Sequence, residues 1–244
     1  IRLKRFAGYW GARPEVEGVR YIWREEPSVR AAMVKIGEAD IAPIIAAQDA
    51  KEPGWDFSYL NSETTYLRID TERAPLDDKR VRLALNYAMD REAMRGSVLS
   101  KDVIHATQIV IAAIPSHNHE LDKMVRPYDP ARARQLLAEA KAAGVPVDKE
   151  ILMIGRPAGY PNAAEVMEAF VAMYKAVGLN VKLINMEPGQ YNEMHNRPHD
   201  DNRGPTLLQA THDNNTGDPI FSVPVKYGCA GSQSMLCVPS IDDT

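Results

Sequence analysis

The side chains best suited to chemistry lie in two polar loops, and the first of these reads HDNNTGDP at residues 212–219. His212 beside Asp213 offers a general base next to a carboxylate that could orient it, as a hydrolase would use. The Asp213 carboxylate could instead neutralise an ammonium group of a ligand, with Asn215 close by. A third interpretation is a local turn, because Asp and Asn side chains favour turns.

Catalysis is the least favoured of these three interpretations. Adjacent residues of a strand point to opposite faces, so His212 and Asp213 would not face each other in an extended segment. No Ser or Cys of the sequence stands in a recognisable nucleophile elbow. We therefore predict that the chain is not an enzyme.

The second loop, GRPAGYPN at 155–162, offers Arg156, Tyr160 and Asn162 as candidate ligand-binding residues. A guanidinium group can hold a carboxylate through two parallel hydrogen bonds. The alternative is an Arg on the surface and a Tyr in a packed position. The sequence leaves both open.

His117 and His119 are the other side chains to consider, since two imidazoles could share a metal ion. Residues i and i+2 of an extended segment lie on one face. No third ligand is apparent nearby in the sequence, whereas zinc sites use at least three protein ligands. We expect no metal site and no cofactor.

The bulk composition is that of a globular protein. Of 244 residues, 45% are hydrophobic and 25% are charged, which is average for soluble domains. The net charge of −4 and the pI near 5.9 argue against a nucleic-acid-binding protein, which usually has a basic face. No apolar run approaches the roughly 20 residues that a membrane-spanning helix needs. Residues 1–10 lack the apolar core of a signal peptide.

The two cysteines, Cys229 and Cys237, are separated by a short polar interval containing Gly. Such an interval lets two ends approach as a disulfide requires, and closing so short a loop would contribute roughly 2–3 kcal/mol. Two free thiols are the alternative, and zinc is less favoured because a second ligand pair is missing. A disulfide would place the protein outside the cytosol.

Hydrophobic periodicity predicts strands that alternate with helices. The predicted helices are 27–37, 77–94, 129–144 and 161–178, and the predicted strands are 19–25, 39–45, 107–114, 150–155, 179–186 and 206–211, with two more within 57–70. The predicted N-caps are Ser28, Asp77 or Asp78, Asp90 and Asp129. This alternation indicates an α/β layered fold, in which helices pack on a mixed sheet and binding loops follow the carboxyl ends of strands.

Four segments, in this order and spacing, resemble the extracellular solute-binding proteins that deliver dipeptides, oligopeptides, nickel chelates and sugars to ABC importers. They are YWGARPEVEGVRYIWREEPSVRAAMVKIGEADIA (9–42), PLDDKRVRLALNYAMDREAM (75–94), YDPARARQLLAEA (128–140) and AVGLNVKLINMEPGQYNEM (176–194), followed by GDP (217–219) and CVPSIDD (237–243). The resemblance covers most of the chain.

The resemblance implies a periplasmic-binding-protein-like fold of class II, cluster C type, with mixed sheets, flanking helices and two lobes joined by hinge strands. Residues 1–67 would belong to an incomplete first lobe, and 68–244 would form a second lobe that stops before its final helix and return strands. Members of the family extend further at both ends, and this chain does not begin with Met, so we expect an internal fragment. Tyr66 and Arg68 would lie in a hinge strand, and Asp70 stands where the family usually has Asn.

The implied function is capture of a small solute between two closing lobes and its delivery to ABC permease subunits. The protein would be periplasmic, either free or held by a lipid anchor. In dipeptide binders an Asp before Gly-Asp-Pro neutralises the peptide α-ammonium; here the ungapped equivalent is Asn215, and Asp213 could substitute for it. The pair of Cys229 and Cys237 occupies a place similar to a disulfide of those binders.

A peptide is the favoured solute, and an opine, a sugar or a nickel chelate is the alternative. An unpaired ammonium group in a buried site would cost several kcal/mol, so the substitution at Asn215 matters to this choice. Two other classes of function stay open. One is a hydrolase using His212 and Asp213, and the other is an interaction module with a vestigial cleft that docks a sensor protein.

Overall fold

The computed structural model describes residues 1–57, 61–157, 159–200, 202–213, 217–218 and 223–235. The chain forms two compact units, Ile1–Pro53 and Gly54–Thr244. None of the helices within the described ranges is both long and apolar enough to cross a membrane.

The first unit is a small hairpin followed by a helix. Strand β1 (Arg2–Lys4) pairs antiparallel with β2 (Gly18–Arg20), and α1 spans Pro27–Lys35. The predicted N-cap at Ser28 is wrong, because the helix begins at Pro27 and its N-cap position is Glu26. The fixed φ of proline suits the first helical position.

The strand predicted over 39–45 is also wrong, since those residues form no strand. Pro43 removes a backbone donor, and Ile44 has φ 56°, which no regular strand accommodates. Gly37, in contrast, has the predicted left-handed conformation after α1, with φ 75°.

The second unit holds the remaining elements. They are β3 (Glu63–Ile69), α2 (Lys79–Tyr87), α3 (Arg91–Met94), a 3₁₀ turn (Leu121–Lys123), α4 (Pro130–Ala142), β4 (Ile151–Gly155), α5 (Ala163–Ala176), β5 (Val181–Asn185), α6 (Pro188–His195), β6 (Thr206–Asp213) and α7 (Val223–Tyr227).

Four of these strands form one mixed sheet in the order β3-β6-β4-β5. Strand β4 runs parallel to both β5 and β6, whereas β3 runs antiparallel to β6. The carboxyl ends of β4, β5 and β6 therefore lie at one edge of the sheet, where Glu63 at the start of β3 pairs with Asp213.

Helices cover both faces of this sheet. Met153 and Leu207 belong to a large apolar cluster with buried residues of α2, α4 and α5. Their neighbours Ile154 and Leu208 belong to a second cluster with Tyr191 of α6. Because consecutive strand residues point to opposite faces, α6 lies on the face opposite the other three helices. The α/β layering expected from the sequence is confirmed.

Three predicted caps are confirmed by their hydrogen bonds. The side chains of Asp78, Asp90 and Asp129 accept from the backbone N–H groups of Arg80 (2.7 Å), Ala93 (2.9 Å) and Arg132 (2.8 Å), respectively. Each bond satisfies an N–H group of the first helical turn that has no partner within the helix.

Residues 107–114 and 188–195 also differ from the sequence prediction. Residues 107–114 form bends and turns instead of a strand, as the bond from Ile114 N to Ile111 O at 3.0 Å illustrates. Helix α6 was not predicted, although Pro188 at its first position is a typical start signal.

Candidate functional site

A cavity of about 300 Å³ opens where the parallel strands of the second unit end. It is lined by Arg156, Tyr191, Asn192, His195, Thr211, Asp213, Val225, Lys226 and Gln233. The lining residues come from the loop after β4, from α6, from the end of β6, from α7 and from the segment after it. Carboxyl ends of parallel strands are the usual position of ligand sites in such folds.

Arg156 is held from both its backbone and its side chain. Its N–H donates to Gln209 Oε1 at 2.6 Å, and its guanidinium carbon lies 4.7 Å from the ring centroid of Tyr191. The Gln209 amide donates in turn to the Tyr160 hydroxyl at 2.9 Å, and the Tyr191 hydroxyl donates to the Gln209 carbonyl at 2.7 Å. Buried Gln209 thus joins β6, α6 and the loop 155–162, and Arg156 is positioned before any ligand arrives.

Lys226 contributes a second cation to the cavity. Its Nζ donates to the Thr211 carbonyl at 2.8 Å and lies 3.5 Å from His212 Nδ1. Burial lowers the pKa of Lys226, and the attraction of Asp213 opposes that change. Asp213 lines the same cavity and brings a carboxylate to it.

Arg68 of β3 supports the cavity from behind. Its side chain is buried, and it donates to the carbonyl groups of Gln233 and of His195, the latter at 2.9 Å. Burial lowers the pKa of Arg68. Tyr66, two residues earlier on β3, pairs with Ala210 of β6, and burial raises its pKa.

His195 adds a neutral aromatic surface. Its ring stacks on Tyr191 with the centroids 5.2 Å apart and the planes 29° apart. Burial, and then the nearby positive charge of Arg68, lower the pKa of His195 to about 4. The imidazole is therefore uncharged at neutral pH.

The cavity accordingly holds Arg156 and Lys226, which can bind carboxylates, and Asp213, which can bind an ammonium group. Charges of both signs in one partly buried space suit a zwitterionic solute.

The structure brings only some of the predicted site residues together. Arg156 and Asp213 line one cavity, and Tyr160 lies behind Arg156 through Gln209. His212 is buried next to Lys226.

The remaining two predicted residues lie elsewhere or outside the described part. Asn162 precedes α5 with φ 62° and donates to the Val98 carbonyl at 2.9 Å, so its side chain is engaged with the segment that follows α3. Asn215 lies outside the described residues.

Sequence reasoning missed Lys226, Tyr191, His195 and Gln209 as parts of this site. Only Gln209 carried a readable signal, since an amide inside the apolar run TLLQAT has to find buried partners. The other three lie on helices α6 and α7, whose arrival at the cavity depends on how the chain packs.

The predicted disulfide partner Cys237 lies outside the described residues. Cys229 is half-buried, and its carbonyl accepts from Arg197 at 3.0 Å. The pairing of the two cysteines stays a prediction.

A family model and individual relatives indicate the same protein family for this chain. The model of bacterial extracellular solute-binding proteins, family 5 Middle, matches residues 1–232. The sequence is 29% identical to the dipeptide-binding protein of Escherichia coli K12 over 239 residues, covering 96% of this chain and 43% of that protein. It is 30% identical to a glutathione-binding protein of Salmonella choleraesuis over 196 residues, covering 78% of this chain and 37% of that protein.

A solved structure carries the same fold. The dipeptide-binding protein from Pseudoalteromonas sp. SM9913, in complex with Met-Leu, aligns with a TM-score of 0.73 at 21% identity. The alignment covers 99% of this chain and 48% of that one. The chain therefore spans less than half the length of these relatives, and its fold is that of the class II periplasmic peptide-binding proteins.

Proposed function

The chain belongs to the bacterial extracellular solute-binding proteins of family 5, and we propose that it is a substrate-binding component of an ABC importer that captures a short peptide. The single observation that best supports the peptide is the cavity that Arg156, Lys226 and Asp213 line together. A peptide has a carboxylate at one end and an ammonium group at the other. The two cations would hold the carboxylate and Asp213 would hold the ammonium group.

The names of two relatives agree with a peptide as the solute. The E. coli relative is a dipeptide-binding protein, and the Salmonella relative binds glutathione, a peptide with two carboxylates. A cavity with two cations and one acid would also suit an opine, which carries extra carboxylate groups. A dicarboxylate solute is therefore the second candidate.

We also propose a cellular location, a partner and a lobe arrangement, each on the basis of family membership. The protein would work in the periplasm, and its loaded form would dock on permease subunits in the membrane. Residues 1–67 and 68–244 would belong to two lobes, and Tyr66 and Arg68 would lie in a strand that joins them. Asn215 would line the cleft beside Asp213.

Calorimetric titration of the intact protein tests the proposal. The panel contains a neutral dipeptide, glutathione, an opine, a sugar and the amide of the same dipeptide, which lacks the terminal carboxylate. We expect binding of the dipeptide, at least about tenfold weaker binding of the amide, and none of the sugar. Sugar binding without peptide binding, or equal affinity for dipeptide and amide, would contradict the proposed recognition.

The calorimetry samples also distinguish a binding protein from a hydrolase that uses His212 and Asp213. After calorimetry, the peptide is recovered and analysed by mass spectrometry. Recovery of intact peptide supports a binding protein. Cleavage by the wild type that is lost in the His212→Gln variant would support the hydrolase.

A further inference from the structure

A compact cluster of potential metal ligands lies on the surface of the second unit, formed by His117, His119 and Asp122. Asp122 Oδ2 lies 2.8 Å from His117 Nε2 and 3.5 Å from His119 Nδ1. One ligand atom from each residue falls within 4.8 Å of the others. None of the three residues lines the solute cavity.

The hydrogen bonds around the cluster orient its ligand atoms. His117 Nδ1 lies 2.8 Å from the Val110 carbonyl, which can only accept, so the Nδ1 proton is fixed there and Nε2 is turned towards Asp122. Histidine ligands of metal ions are normally anchored in this way through their other ring nitrogen. Asp122 Oδ1 accepts from the Thr107 hydroxyl at 3.1 Å, which leaves Oδ2 directed at the two rings.

A pair of hydrogen bonds between Gln108 and Asn118 joins the segment before the cluster to the segment that carries it. The Gln108 amide nitrogen donates to the Asn118 carbonyl at 2.8 Å, and the Gln108 amide oxygen accepts from the Asn118 N–H at 3.1 Å. Asn118 lies between the two histidines, so this pair of bonds fixes the backbone from which both imidazoles project. The site is organised by residues that are not themselves ligands.

We propose that His117, His119 and Asp122 form a binding site for a divalent transition metal ion of the Zn²⁺ class. Two imidazoles and a carboxylate are the ligand types that such ions take. With metal–ligand bonds of about 2.0–2.1 Å, tetrahedral ligand atoms lie about 3.3 Å apart. This value falls between the 2.8 Å and 3.5 Å that separate Asp122 Oδ2 from the nitrogens of His117 and His119.

The exposure of the cluster leaves room for the ion to enter. The side chain of His117 is 8% exposed, that of Asp122 44% and that of His119 77%. Three protein ligands leave a fourth position for water. Bound metal would cross-link residues 117–122, and through the His117 hydrogen bond to the Val110 carbonyl it would stabilise this irregular loop.

Zinc titration of the full 244-residue chain by calorimetry, in buffer free of chelators, tests the site. The variants are His119→Gln and Asp122→Asn, with His105→Gln as the matched control because this half-buried imidazole of the same segment is not a member of the cluster. We expect one zinc ion per wild-type chain, binding weakened at least about tenfold by either cluster variant, and unchanged binding in the control.

Thr107→Val gives a second measurement, because Thr107 bonds to Asp122 Oδ1 and not to the proposed ligand atom Oδ2. Loss of its hydrogen bond to Asp122 should weaken zinc binding about tenfold while the metal-free protein unfolds at nearly the same temperature. Zinc binding that survives in both His119→Gln and Asp122→Asn, or its absence from the wild-type protein at millimolar zinc, would overturn the proposal.

Discussion

Arg203 Nε lies 2.9 Å from Asp70 Oδ2, and the two side chains are 5% and 0% exposed, respectively. Arg203 also contacts Glu72 Oε2 at 3.1 Å. This buried ion pair joins the end of β3 to the segment before β6. It supplies a physical reason for an acid at position 70, where the family resemblance leads one to expect Asn.

Arg203→Gln should destabilise the protein by about 3–5 kcal/mol, because it leaves the buried Asp70 carboxylate without its counter-charge. Urea unfolding at neutral pH measures the effect. Arg134→Gln is the matched control, since Arg134 is exposed on α4 and should change stability by less than about 0.5 kcal/mol. Equal losses in the two variants would contradict the assignment of Asp70 and Arg203 as a stabilising pair.

The same variant should be least destabilised in acid. Burial raises the pKa of Asp70 in spite of the attraction of Arg203, and removing Arg203 raises that pKa further. A raised carboxyl pKa means that stability is lost as the pH rises through it. The difference in unfolding free energy between wild type and Arg203→Gln should therefore shrink as the pH falls from 7 towards the ordinary Asp pKa of about 4. A difference that grows on acidification would refute this sign.

Asp213→Asn should weaken binding of a free dipeptide by roughly 10–100-fold, because a charged hydrogen bond to the ammonium group contributes about 1.5–3 kcal/mol. The N-acetylated form of the dipeptide lacks that ammonium group, so the variant should bind it as weakly as wild type does. Asp102→Asn, at an exposed loop position, is the control. Calorimetry with both ligands makes the comparison, and equal loss of affinity for both peptides would remove Asp213 from ammonium recognition.

His195 should make the protein less stable as the pH falls from about 6.5 to 4. Its folded-state pKa is lowered to about 4, mainly by burial, so stability present above the unfolded value is lost as the pH falls through the folded one. After allowance for partial solvent exposure, the loss is about 1–2 kcal/mol. His195→Gln should flatten this part of the stability–pH curve, and a curve as steep as that of the wild type would contradict the assignment.

Tyr160→Phe should cost about 1–3 kcal/mol of stability, because it removes the acceptor of the buried Gln209 amide. Burial raises the pKa of the Tyr160 phenol to about 12, so the hydroxyl stays protonated at neutral pH. Tyr128→Phe is the control, because Tyr128 is 50% exposed. Thermal unfolding that shifts equally in both variants would show that the Gln209 contact carries little energy.

The predicted bond between Cys229 and Cys237 should make stability sensitive to reductant. Reduction is expected to lower the free energy of unfolding by roughly 2–3 kcal/mol, as loop closure of this length implies. Peptide mapping under non-reducing conditions identifies the linked pair directly. The variant with both residues changed to Ser should not respond to reductant, and free thiols in the untreated protein would contradict the bond.

The sequence by itself determined the α/β layering, most helix positions and the family. Local rules suffice for these, because caps at Asp78, Asp90 and Asp129 and apolar periodicity act within a few residues. The same rules placed Arg156 just after a strand, whereas β6 extends through Asp213, two residues beyond its predicted end. They failed over 39–45 and 107–114, where apolar runs resemble strands but none of the described strands pairs with them.

Only the tertiary structure decided which side chains share a space. Lys226 shares a cavity with Asp213 because its Nζ reaches the Thr211 carbonyl of β6, and Asp122 reaches His117 because the loop turns back on itself. Arg68 supports the cavity through the carbonyl groups of Gln233 and His195, which lie far from it in the sequence. Such contacts depend on burial and on the packing of distant segments, which no short stretch of sequence specifies.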